Sequence, residues 1–576
     1  MVLSLVWPPL SAASCEGPHV PIADIQGRGS VSPMVDRRVV VQGIVTVDLR
    51  HPGGFGGFYM QQARSLQDSD DQTSEGVFVH TQATAGTPGD RVVVRGKVTE
   101  HYGLTSLTGV PRVVVCNRPG LPEPVAIDPA ALAADDREAM EGMLVTTSEP
   151  LTITDTWNLG RYGEVVLAPG LQWMPTQLMP PGPAAMARQA QQDSQRLVLD
   201  DGLGRKYPRP VPYLSDRDAG GEQPTLRVGD RIGPVTGILD YRFGQWRLQP
   251  QSPPLIQATN PRAMPPARHP LANIRVASLN LGNLFNGDGR GNGFPTERGA
   301  TTEADYRRQL ARLASQIQAM DADILALSEL ENDGYGDHSA AMDLAGALGA
   351  PWRVVTAATD QHGDAIRNGL FYRVDRVQPQ APAMLMDDGA FARWHRPAIA
   401  QAFAPKGGGE AVTVVAVHLK SKSCRNAPSA QQAADDGQGC FAPARLAAAK
   451  QLGHWQPAGT DSAALALLTG DFNAYAMETP LQALARGGYA DLVARFHGRE
   501  HQTFRYHGRQ GTLDYHLANQ ALVDRVLATH IWSVNAEEPR LWAYDATKAP
   551  AVPSGFLWRA SDHNPVITDL RLKQTD

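Results

Sequence analysis

The stretch "LLTGDFNAY" at residues 467–475 determines how the C-terminal half of this chain is interpreted. Its first residues are typical of the end of a buried β-strand, and two polar residues follow, Asp471 and Asn473. Because side chains alternate along a strand, these two share one face and Phe472 points to the other. The spacing predicts a carboxylate and a carboxamide directed at one water or phosphate oxygen, with Phe472 anchored in the core.

Polar residues also follow the other predicted strands between residues 271 and 570. An Asp or Asn in such a place is usually a turn former, so none of them indicates a site by itself. Six polar strand ends in one domain do indicate one, because α/β folds bind ligands at the ends of their strands. The set consists of Asn280, Glu329, His418, Asp471 with Asn473, Asp514, and Asp562 with His563.

The residue types in this set suit metal-assisted phosphate chemistry. Asn280, Glu329 and Asp562 carry hard oxygen donors of the kind that bind Mg²⁺, Mn²⁺ or Ca²⁺. His563 can act as a base or as a hydrogen-bond donor to a transition state, and Asp514 is the carboxylate expected to orient its imidazole. The pattern therefore predicts a metal-binding side and an acid–base side in one site.

The domain organisation follows from length and local pattern. A chain of 576 residues is too long for one hydrophobic core, which predicts two to four domains. Short β-branched segments separated by Gly and Asp predict all-β structure over residues 20–120, with the strand count of a five-stranded OB-type barrel. Residues 121–262 repeat this character, residues 260–270 are a predicted linker, and residues 180–192 a predicted insertion or surface loop. From residue 271 strands alternate with helices, which indicates an α/β domain.

Charge and cysteine content restrict the partners and the compartment. The formal net charge of −6 argues against a uniformly basic nucleic-acid coat, although a local basic groove stays open. The loop between Cys424 and Cys440 is suited to closure by a disulfide, and Cys15 with Cys116 is the second predicted pair; unpaired buried thiols are the alternative. Disulfides imply an oxidising compartment. The first residues look like the tail of a secretion signal, and no run is long and apolar enough for a transmembrane helix.

Six short motifs in chain order give a specific resemblance: "SLN", "SELE", "VHLKS", "GDFNA", "LDY" and "SDHNPV". Their order and rough spacing resemble the endonuclease/exonuclease/phosphatase superfamily, which includes DNase I-like nucleases. Within it, the chain is similar to bacterial extracellular nucleases that carry β-rich modules ahead of the catalytic domain. The resemblance covers nearly all of residues 20–570.

This resemblance implies a multidomain fold. N-terminal OB-like β-barrel modules are expected to precede a DNase I-like α/β four-layer sandwich. The expected domains are 1–19 as a signal remnant, 20–120 as an OB-like β-barrel, 121–262 as a second OB-like module, and 270–573 as the catalytic domain.

The resemblance also implies a role for each site residue. The expected metal ligands are Asn280, Glu329 and Asp562. The expected catalytic residues are His418, Asp471, Asn473, Asp514 and His563. Independently of the resemblance, Lys420, Lys422 and Arg425 form a local positive cluster after His418. Candidate contacts to substrate phosphates are Arg367, Asn368, Lys420 and Lys422, and a solvated basic surface is the alternative for Lys422 and Arg425. Which of the two histidines is the acid and which the base is not assigned by the resemblance.

Two departures from the family pattern leave alternatives open. Tyr515 stands where similar enzymes often have a His directly after the Asp. Glu331 and Asp333 add carboxylates close to Glu329, so the metal ligand in this segment stays open among the three.

Together these features predict a secreted, divalent-metal-dependent endonuclease of low sequence specificity, located in the extracellular space or periplasm of a bacterium. DNA is the expected substrate and RNA an additional one, Mg²⁺ is the expected cofactor with Mn²⁺ or Ca²⁺ as alternatives, and the chain is expected to be a monomer. Two other functions stay open: a phosphatase or phosphodiesterase acting on small or lipid phosphoesters, and a nucleic-acid-binding protein with an inactive catalytic domain. Aromatic residues of the β-modules are candidates for stacking on single strands, with core packing as the alternative: Phe58, Tyr59, Tyr241, Phe243 and Trp246.

Overall fold

A computed structural model describes residues 14–132, 134–214, 226–288, 290–357, 363–434, 436–455, 464–546, 552 and 555–574. Most of the predicted signal remnant, residues 1–13, lies outside the described residues. The chain divides into two compact units: Met1–Leu171 with Gln191–Asn260, and Gln172–Ala190 with Pro261–Asp576. The boundary after Asn260 falls in the predicted linker. The grouping of residues 172–190 with the second unit has no counterpart in the sequence predictions.

The first unit begins with a closed β-barrel. Its strands are β1 Arg38–Asp48, β2 Gly57–Gln61, β3 Gly76–His80, β4 Arg91–His101, β5 Leu104–Thr108 and β6 Val113–Asn117. The strands pair in the order β1-β2-β3-β5-β4, β1 pairs with β4 to close the barrel, and β6 adds to the other side of β4. Valines on β1 and β4 fill its interior, because β-branched side chains pack well on a pleated surface. The closed five-stranded arrangement that the sequence predicts is therefore present.

The second β-rich region of this unit forms one nine-stranded sheet. Its strands are β7 Val125–Ile127, β8 Leu144–Thr147, β9 Leu151–Asp155, β10 Val165–Ala168, β12 Leu197–Leu199, β13 Arg231–Ile232, β14 Thr236–Arg242, β15 Gln245–Pro250 and β16 Ile256–Gln257. They pair in the order β16-β13-β9-β10-β12-β15-β14-β8-β7, and no pairing among the described strands closes the sheet. This region thus differs in strand count from the five-stranded barrel before it. Pairs such as β9 with β13 join segments far apart in the chain, which a local pattern does not reveal.

The aromatic residues of these modules have different environments. Phe58 and Tyr59 are fully buried, which favours core packing over stacking on a nucleic acid. Phe243 lies at the turn between β14 and β15 and is 73% exposed, beside the packed pair Tyr241 and Trp246.

The second unit contains two large sheets. The strands of one are β17 Ile274–Leu284, β18 Ile324–Glu331, β19 Trp352–Val354, β20 Ile366–Arg373, β30 Val526–Ile531 and β31 Val566–Leu570, in the order β19-β20-β18-β17-β31-β30. The strands of the other are β21 Val377–Pro379, β22 Met384–Met386, β23 Ala398–Pro405, β24 Val412–His418, β25 Leu465–Asp471, β26 Tyr489–Asp491 and β29 Asp514–Asn519. These pair in the order β21-β23-β24-β25-β29-β26, and β22 adds to β23.

The two large sheets of this unit pack against each other through alternate residues. Val414 and Ala416 of β24 lie in one core cluster with Val276 and Ile324 of the other sheet. The intervening Val415 and Val417 lie in a second cluster with helices Ala442–His454 and Thr479–Arg486. Strands buried on both faces read as continuous apolar runs, and "VTVVAV" is such a run.

A small three-stranded sheet lies beside them in the same unit. It consists of β11 Gln172–Trp173, β27 Phe504–Tyr506 and β28 Arg509–Gly511, with β28 in the middle. β11 comes from the segment that precedes the predicted insertion. In place of a loop over residues 180–192, the structure has helix Pro183–Ser194. Pro183 is tolerated there because the first helical residue needs no N–H partner.

The helices are mostly short. The longest, Glu303–Met320, begins after Thr302, whose Oγ1 accepts a hydrogen bond from the Asp305 N–H at 3.2 Å. The other α-helices among the described residues are Ile22–Gln26, Ala134–Glu138, Leu159–Tyr162, Pro175–Leu178, Pro183–Ser194, Ala340–Leu348, Ala442–His454, Thr479–Arg486, Leu492–His497 and Gln520–Val523. Short 3₁₀ turns occur at Arg64–Leu66, Gly389–Ala392, Ser429–Gln431 and Arg540–Trp542. None of the helices in the described part of the chain has the length and apolar character needed to cross a bilayer.

Both predicted disulfides are present. Cys15 is joined to Cys116 with a Cα–Cα distance of 5.6 Å, and Cys424 to Cys440 with a Cα–Cα distance of 5.1 Å. The second bridge closes the loop that follows β24.

Candidate active site

Three predicted catalytic residues lie side by side because of strand register. His418, the last residue of β24, is paired with Asp471, the last residue of β25. Asp471 is in turn paired with Asp514, the first residue of β29. Gly470 permits this approach, because its φ is +123° and a Cβ there would lie 2.3 Å from the carbonyl oxygen of Val417. Residues distant in sequence are thus brought to one edge of the sheet.

The facing sheet supplies the predicted metal-binding residues. Asn280 on β17 is opposite Ser328 on β18, which places Glu329 one residue further along. Asp562 lies in the segment that leads into β31, the other neighbour of β17. Asn280 Nδ2 donates a hydrogen bond to Asp471 Oδ2 at 3.2 Å, so the two sheet edges meet at these side chains.

His563 and Asp514 form a short polar pair in the centre of the site. His563 Nδ1 lies 2.7 Å from Asp514 Oδ2, as the sequence predicts for an imidazole oriented by a carboxylate. Ligand atoms of Asp471, Asp514 and His563 all lie within 4.8 Å of one another. The imidazole packs against the Phe504 ring at a centroid distance of 4.5 Å, which fixes the plane of the ring.

The charges in this cluster shift its protonation equilibria. Burial lowers the pKa of His563, but the Asp514 carboxylate and its hydrogen bond, with Asp562 and Asp471, outweigh burial and raise it to about 10. Burial and the neighbouring Asp514 raise the pKa of Asp471 to about 7. The His563 imidazole is therefore cationic at neutral pH, whereas Asp471 is about half protonated there.

The second histidine has the opposite environment. Burial and the nearby Arg396 lower the pKa of His418 well below its usual range, so its imidazole is neutral. His418 Nε2 lies 3.6 Å from Asp471 Oδ2, too far for a hydrogen bond. Its Nδ1 is buried and has no hydrogen-bond partner among the described residues. A buried polar atom without a partner is costly unless a ligand satisfies it.

Two strand-end residues have left-handed backbone conformations. Glu329 has φ 59° and Asn473 has φ 48°, and such conformations in non-glycine residues cluster at functional sites. The Asn473 N–H donates to Asp471 Oδ1 at 2.8 Å, and its Nδ2 donates to the Leu419 carbonyl at 3.0 Å. The Asn473 side chain therefore fixes the strand end with its nitrogen and retains its carbonyl oxygen for the site.

The donor set matches a divalent cation. Burial and the neighbouring Asp562 carboxylate raise the pKa of Glu329, which shows that these two acidic groups repel each other. A bound cation relieves that repulsion, and carboxylate and amide oxygens are the donors that Mg²⁺ takes.

The competing carboxylates have structural partners instead. Glu331 Oε2 accepts hydrogen bonds from the Asn286 and Gly287 N–H groups at 2.7 and 3.2 Å. Asp333 Oδ2 accepts one from the N–H of Ala340, at the start of a helix, at 2.9 Å. These contacts favour Glu329 as the metal ligand of this segment. Burial raises the pKa of Glu331 to about 7 and that of Asp333 to about 6.

Three residues predicted to contact phosphates, Arg367, Asn368 and Lys420, lie close to the site residues. They are neighbours either in sequence or on the adjacent strand. Arg367 is paired with Leu330, directly after Glu329, and its guanidinium lies 4.0 Å from the centroid of the Tyr335 ring. Asn368 donates from Nδ2 to the Pro397 carbonyl, while its Oδ1 is buried without a hydrogen-bond partner in the described part of the chain. Lys420 follows His418 by two residues, and its Nζ lies 5.1 Å from the centroid of the Phe441 ring.

The fourth predicted phosphate contact, Lys422, is used in an internal ion pair. Its Nζ donates to both oxygens of the fully buried Glu478, at 2.5 and 2.6 Å. Burial lowers the pKa of Lys422 to about 8, although the Glu478 charge opposes that shift. Thr176 Oγ1 donates to the same carboxylate at 2.8 Å. Lys422 is therefore a structural residue as well as a candidate for phosphate binding.

We expect Lys422→Ala to lower the free energy of unfolding by about 3–5 kcal/mol, because it leaves the Glu478 carboxylate buried without a cation. Denaturant unfolding measures this change. Lys420→Ala is the control, with an expected loss of about 0.5 kcal/mol or less, since Lys420 is half-buried and forms no ion pair of this kind with a described residue. A Lys422→Ala variant as stable as wild type but weaker in DNA binding would assign Lys422 to the substrate alone.

Several supporting residues were missed by sequence reasoning. Ser561 Oγ donates to the Asn280 carbonyl at 2.6 Å and accepts from the His563 N–H at 3.1 Å. The fully buried Asn564 accepts three backbone N–H groups, those of residues 534–536, on its Oδ1. Both residues belong to the "SDHNPV" motif, so the motif itself contained the signal. Thr503 Oγ1, which accepts from the Asp514 N–H at 3.1 Å, had no such signal.

Tyr515 and the histidine after it are structural. The Tyr515 hydroxyl donates to the carbonyls of Thr512 and Ala474 at 2.7 and 3.1 Å. His516 is fully buried and lies within hydrogen-bond distance of hydroxyls on the other sheet, 2.6 Å from Thr568 Oγ1. The departure from the family pattern at Tyr515 thus leaves the catalytic cluster intact.

Comparison with known proteins places these residues in a family. The family described as "Endonuclease/Exonuclease/phosphatase family" matches residues 277–563, and a "Domain of unknown function (DUF8508)" matches residues 109–260. No curated protein matches the chain.

Solved structures that align with about half of this chain include three whose sequences are distant. The endonuclease/exonuclease/phosphatase from Bacteroides vulgatus is 18% identical, with coverage of 52% of this chain and 99% of that chain and a TM-score of 0.35. The human Nocturnin catalytic domain with bound sulfate anion is 15% identical, with coverage of 53% and 97% and a TM-score of 0.32. D. rerio TDP2 complexed with single strand DNA product is 14% identical, with coverage of 51% and 97% and a TM-score of 0.32.

The family match extends from β17 to His563 and so contains all of the predicted strand-end residues. Both sheet edges, the His563–Asp514 pair and the facing carboxylates fall within or beside it. The C-terminal part of this chain, residues 277–563, is therefore a member of the endonuclease/exonuclease/phosphatase family.

Proposed function

We propose that this chain is a divalent-metal-dependent phosphodiesterase. It cuts DNA internally with low sequence specificity, and RNA is an additional substrate. The observation that carries the proposal is the meeting of two sheet edges, with Asp471, Asp514 and His563 within 4.8 Å and Asn280 bonded across to Asp471. The family supports this reaction class, since its description names endonucleases, exonucleases and phosphatases, which hydrolyse phosphate esters.

Each residue on the acid–base side has a separate role, which follows from its position. Asp471 accepts a proton from the attacking water. The Asp471 carboxylate is itself held in place by hydrogen bonds from the Asn473 N–H and from Asn280 Nδ2. His563 donates from Nε2 to the scissile phosphate, because its Nδ1 is occupied by Asp514. The buried Nδ1 of His418 has no hydrogen-bond partner among the described residues, and we assign it to the leaving oxygen. Each contact strengthens as charge develops in the transition state.

Asn280, Glu329 and Asp562 would hold the cation, with Mg²⁺ preferred and Mn²⁺ or Ca²⁺ as alternatives. A bound ion would supply positive charge to the phosphate oxygens. Arg367, Asn368 and Lys420 would orient the flanking phosphates, and contacts of this kind are independent of base sequence and weaken with salt.

The finer assignments of fold and location belong to the same proposal. Two disulfides support an oxidising location outside the bacterial cytoplasm, either extracellular or periplasmic. We assign the closed barrel to the OB-like class on its strand count. The two packed sheets with helices beside them support a four-layer sandwich for the second unit. We expect the chain to act as a monomer.

Digestion of supercoiled plasmid tests the proposed function. With Mg²⁺ we expect nicked circles first and then linear DNA, because an endonuclease needs no free end. A chelator should stop the reaction, and added Mg²⁺ should restore it. Hydrolysis of bis(4-nitrophenyl) phosphate without plasmid cleavage would favour the small-phosphoester alternative. DNA binding without either hydrolysis in Mg²⁺, Mn²⁺ or Ca²⁺ would favour an inactive binding protein.

A further inference from the structure

The segment Gln172–Ala190 packs within the catalytic unit, although it lies between strands of the first unit in sequence. Its strand β11 runs parallel to β28, with Gln172 opposite Arg509 and Trp173 opposite Gln510. The Met174 N–H continues the pairing with a hydrogen bond to the Gln510 carbonyl at 2.9 Å. The segment thus completes the small sheet that leads to Asp514.

Further contacts hold the next residues of this segment against the loop after Asn473. Thr176 accepts a hydrogen bond from the Met477 N–H on its carbonyl at 2.9 Å. Met174 lies in an apolar cluster with Tyr475 and Leu513, and Phe504 packs against that cluster. Leu513 directly precedes Asp514, and Phe504 is the ring that packs on His563.

Gln177 is the polar centre of this contact and is fully buried. Its Oε1 accepts hydrogen bonds from the N–H groups of Thr512 at 3.1 Å and Ala476 at 3.5 Å. Its Nε2 donates to the Arg499 carbonyl at 3.0 Å. One side chain therefore joins the loop that follows Asn473 to the residues that precede Asp514.

Thr512 has a partner for each of its polar groups, and Gln177 supplies one of them. Its carbonyl accepts from the Tyr515 hydroxyl at 2.7 Å, and its Oγ1 donates to the His501 carbonyl at 2.9 Å. Removing Gln177 would leave the buried N–H of Thr512 without an acceptor, two residues before Asp514. A buried donor left unsatisfied drives local rearrangement.

We infer that Gln177 is a positioning residue of the active site, acting on Asp514 through Thr512 and on the strand end at Asn473 through Ala476. The segment 172–182 is then part of the active-site scaffold. The expected change in kcat rests on the proposed phosphodiesterase activity. The expected change in the local structure around Asp514 rests on geometry alone.

Three full-length variants test it. Gln177→Leu removes all three hydrogen bonds while keeping an apolar volume. Gln177→Glu keeps an oxygen acceptor for Thr512 and Ala476, replaces the donor to Arg499 with an oxygen and adds an ionisable carboxyl group. Gln401→Leu is the matched control, because Gln401 is also a buried glutamine of this unit and bonds the Ala381 and Ala402 carbonyls away from the site.

The expected result is a loss of kcat for plasmid nicking of about 10–100-fold in Gln177→Leu with KM unchanged. Gln177→Glu should recover most of that kcat, and Gln401→Leu should match wild type in kcat whatever it loses in stability. Hydrogen–deuterium exchange of peptides covering residues 512–514 should be faster in Gln177→Leu than in Gln401→Leu.

Equal exchange at residues 512–514 in the two leucine variants would overturn the inference, and so would equal kcat values. If wild type does not cut plasmid, the proposed function fails, and the exchange comparison alone decides the role of Gln177. If Gln177→Leu does not fold, Gln177→Glu decides: a kcat within a few-fold of wild type supports the role of the acceptor, and a 10–100-fold loss contradicts it.

Discussion

Replacing His563 with alanine is expected to lower the rate of plasmid nicking by about 10²–10⁴-fold, the usual effect of removing an acid–base group. The imidazole is held in one orientation by Asp514 Oδ2 at 2.7 Å and by the Phe504 ring. Alanine removes the donor to the phosphate and leaves Asp514 without its partner. Initial rates on supercoiled plasmid in saturating Mg²⁺ measure the loss.

His497→Ala is the control for this prediction. His497 belongs to the same unit, and its Nε2 lies 2.6 Å from the Thr529 carbonyl oxygen, outside the cluster of strand ends. We expect its nicking rate to equal that of wild type. A His563→Ala variant that cuts as fast as His497→Ala would show that His563 is not part of the catalytic site.

The strand ends of the catalytic part were predictable from sequence for a physical reason. Side chains alternate along strands, and neighbouring strands in register end at one edge, so polar residues at those ends must converge. His418, Asp471 and Asp514 follow this rule, since each is paired directly with the next. The motif containing Asp562 and His563 predicted the site residues that the facing sheet contributes.

Contacts made by residues far apart in the chain were not predictable. Gln177 reaches Thr512 across 335 positions, and nothing in the Pro-rich sequence around it indicates a partner. The sequence predicted a phosphate contact for Lys422 because this residue lies in a basic cluster. Its buried partner Glu478 is 56 positions away, so the local sequence does not reveal the ion pair. The open nine-stranded sheet likewise depends on pairings that a local alternation of residues does not encode.

The other large effect expected is on metal dependence. Glu329→Gln should raise the Mg²⁺ concentration needed for half-maximal nicking by about 100-fold, the upper end of the effect of losing a residue that supports a metal site. Glu329 is held in a left-handed conformation with φ 59°, and burial together with Asp562 raises the pKa of its carboxyl. The fold thus stabilises a conformation that concentrates negative charge, as a cation site requires.

The variant Glu331→Gln tests whether Glu331, two residues after Glu329, is the metal ligand instead. The Glu331 carboxylate already accepts two backbone N–H groups, so the amide oxygen of glutamine can replace it there. We expect a loss of about 1 kcal/mol in the free energy of unfolding and an unchanged Mg²⁺ titration. Titrating Mg²⁺ into chelator-treated variants and following nicking gives both midpoints. A shifted midpoint in Glu331→Gln with a normal one in Glu329→Gln would move the ligand to Glu331, because a carboxylate that binds the ion cannot be replaced by an amide without loss of charge.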